Sequence, residues 1–188
     1  MSLETCDLRL ETNAMAGNKP QKEFVPLQIA VVTVSDTRTE ENDTSGQYLV
    51  DALTNEGHRL YQKHICKDDV EALRALVKGL IEDDVVHAVL LTGGTGFTKR
   101  DNTVVSITPL LESPIDGFGE IFRYLSYKEI GSSTIQSRAF AGLSNNTVVF
   151  CMPGSPGACK TAWEGIIREQ LDSCHRPCNF VDRISHRD

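Results

Sequence analysis

The sequence predicts an α/β fold with a mostly parallel central sheet, and three observations predict it. Short apolar, β-branched runs recur at Ile29–Val34, Val85–Leu91 and Thr147–Met152, each reading as a strand buried on both faces. The segments between them carry apolar residues at helical spacing. Strands alternating with helices imply a sheet covered on both sides, with right-handed crossovers bringing the parallel strand ends to one edge.

The first run, Ile29–Val34, is followed by a polar loop from Ser35 to Asp43. Thr44 or Ser45 then suits the N-cap of a helix with Leu49, Ala52 and Leu53 on one face and Gly57 just past its end. A strand of weaker pattern follows, from about Leu60 to Cys66. Asp68 or Asp69 caps the clearest helix, in which Val70, Leu73, Val77, Leu80 and Ile81 share a face. Asp69 is the preferred cap and Asp68 the preferred functional residue. Residues 103–113 and 117–129 read as amphipathic helices, the second with Phe118, Ile121, Phe122 and Leu125 inward. Ser155 with Pro156 makes an N-cap and first turn for a closing helix bearing Ala158, Ala162, Ile166 and Ile167. Residues 1–26 show no periodicity and read as a flexible arm, leaving 27–188 as a single domain.

Composition narrows the function classes. A net charge of −7 argues against a nucleic-acid surface, but backbone amides can hold small anions without net positive charge. No apolar stretch is long enough for a membrane span, and the start lacks a secretory pattern, so a cytoplasmic location is expected. The six cysteines are not spaced as a zinc set, and Cys66 and Cys151 read as small buried hydrophobes.

Chemistry collects at the strand exits. Ser35-Asp36 follows the first strand and Lys67-Asp68-Asp69 the second. Thr92-Gly93-Gly94-Thr95-Gly96 follows the third, and Pro153-Gly154-Ser155-Pro156 the last. In open parallel sheets, ligands bind along this edge. The glycine cluster lets successive amides face an anion, although by itself it serves equally as a plain strand-to-helix turn. It is not a P-loop, because Lys99 is followed by Arg100, and it lacks the third glycine of a dinucleotide fingerprint. Arg100 beside the cluster suits a phosphate. Asp68 and Asp101, on neighbouring exits, suit Mg²⁺ shared with phosphate oxygens, with Asp36 and Asp43 as weaker candidates. Glu120, in Gly117-Phe118-Gly119-Glu120, either lines the cleft or starts a helix.

The run Thr92-Gly93-Gly94-Thr95-Gly96-Phe97 with Arg100-Asp101 resembles the signature of the molybdopterin-binding family of cofactor biosynthesis proteins. Asp43-Thr44-Ser45-Gly46, Gln136-Ser137-Arg138, Met152-Pro153-Gly154-Ser155 and Arg176-Pro177-Cys178-Asn179-Phe180 extend the likeness across nearly the whole domain. The resemblance implies a three-layer α/β/α fold, assembly into a homotrimer or homohexamer, and molybdopterin as ligand. Other molybdenum cofactor biosynthesis proteins are the implied partners. Active relatives use Mg²⁺ and ATP: the terminal phosphate of molybdopterin attacks the α-phosphate, giving adenylylated molybdopterin and pyrophosphate. By position, Asp68 and Asp101 match their two essential aspartates, Gly93 to Gly96 the ligand loop, and Ser155 a second ligand loop. Lys67, Asn102 and Val104 depart from the pattern of active members, so a non-catalytic molybdopterin-binding or scaffolding role stands as the alternative.

Overall fold

The computed structural model describes residues 23–185. Most of the expected arm and Cys6 lie outside the described residues. Four strands, β1 (Gln28–Val34), β2 (Arg59–Cys66), β3 (Ala88–Thr92) and β6 (Thr147–Met152), run parallel. Two more, β4 (Ser113–Pro114) and β5 (Phe140–Ser144), complete a six-stranded sheet of order β2-β1-β3-β6-β5-β4, with β5 antiparallel to both its neighbours.

The alternation of each strand divides the core in two. Ile29, Val31, Ala88, Leu90, Val148 and Phe150 pack with α1 (Thr44–Asn55), α4 (Asp116–Ile130) and α5 (Pro156–Ala162). Ala30, Val32, Val89, Leu91, Val149 and Cys151 pack beneath α2 (Val70–Glu82) and α3 (Thr103–Ile107). Three layers follow directly, since β1, β3 and β6 present apolar residues to both faces.

Several local expectations are corrected. The cap of α1 is Asp43, whose carboxylate accepts from the Gly46 amide at 2.9 Å, rather than Thr44 or Ser45. Asp69 caps α2 as expected, accepting from the Ala72 amide. Residues 83–86 form a turn in which Asp83 accepts from the Val85 and Val86 amides, so β3 starts at Ala88 instead of Val85. The helix expected over 103–113 stops at Ile107 and tightens into a 3₁₀ turn, Thr108–Leu110, where Pro109 offers no backbone donor. Ile121, expected inward, lies on the exposed side of α4. The closing helix holds one π turn, Trp163–Ile167, so Ala162, Trp163, Ile166 and Ile167 are all buried. Strands β4 and β5 escaped the sequence reading. One is two residues long, and the other contains Gly142 and pairs antiparallel. The positive φ of Asn145 and Asn146 is the signal that betrays the β5–β6 hairpin.

At the opposite edge of the sheet, His58 is buried between Phe24 and Trp163 and accepts from the Leu27 amide at 3.3 Å. Burial pushes its pKa down to about 4, with Asp172 opposing. The unfolded chain takes up a proton near pH 6.5 while the folded chain does not, so stability present above pH 6.5 is lost as pH falls toward 4. Urea unfolding should show a loss on the order of 2 kcal/mol between pH 7 and pH 5. The His58→Gln variant should lack most of that slope; an unchanged slope would show that another group titrates.

Candidate functional site at the carboxyl edge of the sheet

The exits of β1, β2, β3 and β6 share one edge, as parallel pairing requires. The loop after β3 is tightly built. Gly93 has φ +105°, and a Cβ there would stand 2.3 Å from the Val34 carbonyl oxygen. Gly94 has φ +63°, and its Cβ would meet the Thr103 hydroxyl at 2.4 Å and the Asp68 carboxylate at 2.8 Å. Glycine is required at both positions by backbone conformation and by space.

Four successive carbonyls of this loop are occupied. The Thr103 hydroxyl donates to Gly93 O at 2.8 Å and the Thr103 amide to Gly94 O at 3.0 Å. Arg138 donates through Nε to Thr95 O at 3.1 Å and through its guanidinium to Gly96 O. The amides are used differently. That of Gly93 closes the strand pairing on Met152 O, and that of Gly96 turns to Asp101. Among the described residues, the Gly94 and Thr95 amides donate to no protein acceptor. They line an open cleft of about 460 Å³ together with Gly93, Gly96, Asp101, Pro153, Gly154 and Ser155.

Asp101 accepts from the Thr98 amide at 2.7 Å. Partial burial opposes ionisation, but the hydrogen bonds from Thr98 and Gly96 and the nearby Arg138 outweigh it, holding Asp101 below the usual carboxylate range. Asp68 stands on the other side of Gly94 and accepts from the Asn102 amide at 2.9 Å. Its pKa is raised, first by burial and then by the Asp101 and Asp36 carboxylates, against the Asn102 bond. Negative charge is therefore in excess around Asp68, a condition a divalent cation relieves. Among the described residues no three acidic, histidine or thiol groups converge as a ready metal cage. Mg²⁺ coordinated mainly by phosphate oxygens and water needs only one or two carboxylates, and this donor set fits that use. The Asn102 side chain also donates to the Asp68 carbonyl at 2.7 Å, which gives this departure from the family pattern a structural job.

The remaining expected residues divide. Asp36 receives the Arg100 guanidinium at 2.6 Å and the Asp68 amide at 3.3 Å, bridging two strand exits. That pairing holds the Asp36 carboxyl below its ordinary range. Ser35 is a turn residue whose hydroxyl accepts from the Thr37 and Arg38 amides. The Thr92 side chain, expected to face ligand, is instead fully buried and donates to the Pro153 carbonyl at 3.0 Å. Thr95 is buried as well, although it belongs to the lining of the cleft. Ser155 caps α5, accepting from the Ala158 amide, and lines the cleft. Asp43 is buried among Thr33, the Gly46 amide and Lys63, away from the cleft lining. Glu120 lines a neighbouring cleft of about 740 Å³ instead.

Two residues that the sequence reading did not assign to the site support it. The Ser45 hydroxyl donates to the Gly154 carbonyl at 2.8 Å, so Ser45 and Thr92 together tie down the Pro153-Gly154 loop. Arg138 holds the glycine loop. Both lay in motifs that carried the family resemblance, which was the only sequence signal for them.

Residues 30–173 match the family described as probable molybdopterin binding domain. The chain belongs to this family. It is 52% identical over 158 residues to molybdenum cofactor biosynthesis protein B of Escherichia coli (strain K12), covering 84% of this chain and 93% of that protein. The protein of the same name from Bacillus subtilis (strain 168) is 49% identical over 142 residues, 75% of this chain and 84% of its own. Among solved structures, a molybdenum cofactor biosynthesis protein B superposes with a TM-score of 0.77 at 44% identity, over 80% of this chain and 94% of that one. The tungsten cofactor synthesizing protein MoaB from Pyrococcus furiosus gives 0.68 at 38% identity, over 77% and 92%. Membership in the family supports a role in molybdenum cofactor biosynthesis, and the α/β fold agrees with these structures. No helix among the described residues is long and apolar enough to cross a membrane.

Proposed function

We propose that the chain binds molybdopterin in the cleft above Gly93–Gly96 and adenylylates its terminal phosphate with Mg-ATP, in the cytoplasm. One observation carries this reading: the loop has all four carbonyls occupied from Gly93 to Gly96, while the Gly94 and Thr95 amides remain free at the cleft wall. Such a nest offers two donors to an anion and has no other use for them.

In the reaction, a phosphate oxygen of molybdopterin forms a bond to the α-phosphorus of ATP, and the bond to the bridging oxygen breaks as pyrophosphate leaves. Transfers of this kind depend on positioning and charge neutralisation more than on covalent help. The Gly94 and Thr95 amides orient phosphate oxygens. Arg100, exposed and paired with Asp36, supplies a cation that exchanges Asp36 for substrate phosphate. Asp68 and Asp101 are the residues that would hold Mg²⁺, which when bound neutralises charge on the polyphosphate. The fixed Asp101 carboxylate stays ionised throughout the neutral range.

The test mixes purified protein with molybdopterin, ATP and Mg²⁺ and seeks adenylylated molybdopterin by chromatography. Product formation supports the enzyme reading. Tight molybdopterin binding without product would sink it and leave the non-catalytic role, which the unusual Lys67 beside Asp68 favours.

Assembly into a homotrimer or homohexamer belongs to the same proposal. Ile121, Tyr124 and Ile130 on α4, with Ile135 beyond it, are large apolar side chains left uncovered, Tyr124 64% and Ile135 78% exposed. The paired change Ile121→Asp and Tyr124→Lys should shift the light-scattering mass to that of one chain. An unchanged oligomer would place the contact elsewhere.

A further inference from the structure

Arg138 precedes β5 in the chain, yet its guanidinium reaches the loop after β3. Besides Thr95 O and Gly96 O, it donates to the Asp101 carbonyl at 3.1 Å, and it lies 4.8 Å from the centre of the Phe97 ring. Its contacts therefore bracket the segment from Thr95 to Asp101. In a trans peptide the carbonyl of one residue and the amide of the next point in opposite directions. Holding the Thr95 carbonyl thus turns the Gly96 amide the other way, to where the Asp101 carboxylate receives it. Thr103 does the corresponding work for Gly93 and Gly94, fixing the free amides of Gly94 and Thr95.

The loop is therefore held as two halves. The anion-facing half is held locally by Thr103, a short distance along the chain. The carboxylate-bearing half is held by a residue from the segment that leads into β5, distant in sequence. We infer that Arg138 is the positioning residue that fixes the Asp101 carboxylate relative to the Gly94–Thr95 amides; as a claim about catalysis, this rests on the proposed adenylylation. Lysine cannot replace it. An ammonium has a single nitrogen on a flexible stem, whereas the planar guanidinium presents several donors in a rigid fork and stacks on an aromatic face.

Arg138→Lys and Arg138→Met test the inference through two independent readouts. Hydrogen exchange should accelerate at least about tenfold in a peptide spanning 95–101, with β1 and β3 unchanged. The kcat for adenylylation should fall on the order of a hundredfold, while the KM for molybdopterin moves little, because the Gly94 and Thr95 amides remain in place. Millimolar methylguanidinium should restore part of the turnover of an Arg138→Ala variant, whose truncated side chain leaves room for it, and none of that of Arg138→Lys, where the site is filled. Wild-type exchange in both variants would overturn the clamp. Faster exchange with unchanged kcat would overturn its role in catalysis. If the wild-type protein forms no product, the adenylylation reading fails by itself, and exchange in the 95–101 peptide still decides whether Arg138 holds the loop.

Discussion

Gly93→Ala should lower stability by roughly 3–5 kcal/mol and abolish molybdopterin binding. Two costs combine. At φ +105° an L side chain is strained, and its Cβ would stand 2.3 Å from the Val34 carbonyl oxygen, a backbone atom at the end of β1. The strand cannot yield cheaply, because β1 is buried and paired on both sides. The easier response is for the loop to move, which also disturbs Gly154, so close by that a Cβ added there would stand 3.1 Å from the Gly93 Cα. A loss of this size is a large part of the stability of an ordinary domain. The melting temperature should drop by about 10 °C. Gly117→Ala, with open space around its Cβ, provides the control and should melt as the wild type does. A normal melting curve for Gly93→Ala would mean that the loop is softer than its contacts imply.

Asp101→Asn should reduce turnover by about 10²–10³-fold with the fold intact. Asparagine has almost the same shape and can still accept from the Thr98 amide through its oxygen. It loses the negative charge, and only one of its two terminal atoms can still accept a hydrogen bond. Thermal melting should shift by only a few degrees, since Asp101 is half-buried and belongs to no core cluster. Molybdopterin binding, measured by quenching of pterin fluorescence, should persist through the Gly94 and Thr95 amides. Turnover within about threefold of wild type would remove Asp101 from the proposed machinery. Loss of folding would instead assign it to the architecture of the loop.

The contrast between these two variants reflects how the site is built. Glycines determine the path of the loop, and carboxylates determine its charge. The first kind of residue is tested by stability, the second by chemistry. Asp68 shares both properties, because its carboxylate packs on Gly94 and anchors the Asn102 amide.

Much of this was legible in the chain itself, for a physical reason. A strand buried on both faces is apolar along nearly all its length, so β1, β3 and β6 announce themselves, broken by the hydrogen-bonded threonines Thr33, Thr92 and Thr147; β2 at the edge, half-exposed along its length, reads faintly. Helix α2 reads equally well, because Leu73, Val77, Leu80 and Ile81 must share one face. Parallel order by itself puts Asp36, Asp68, Gly93 and Pro153 on one edge. Tertiary structure decided what local pattern does not encode. It turned Thr92 inward, because the last residue of a central strand is covered from both sides. It exposed Ile121, because α4 buries only Phe118, Gly119, Phe122 and Ser126. It paired Arg100 with Asp36 across 64 positions of sequence and brought Arg138 onto the glycine loop from 42 and 43 positions away. Periodicity reports which face of an element is buried; it carries no information on which distant side chain arrives to satisfy a carbonyl. Thr92 to Asp101 could thus be located from sequence, while the way the loop is held open to a ligand was settled by contacts that only the folded chain makes.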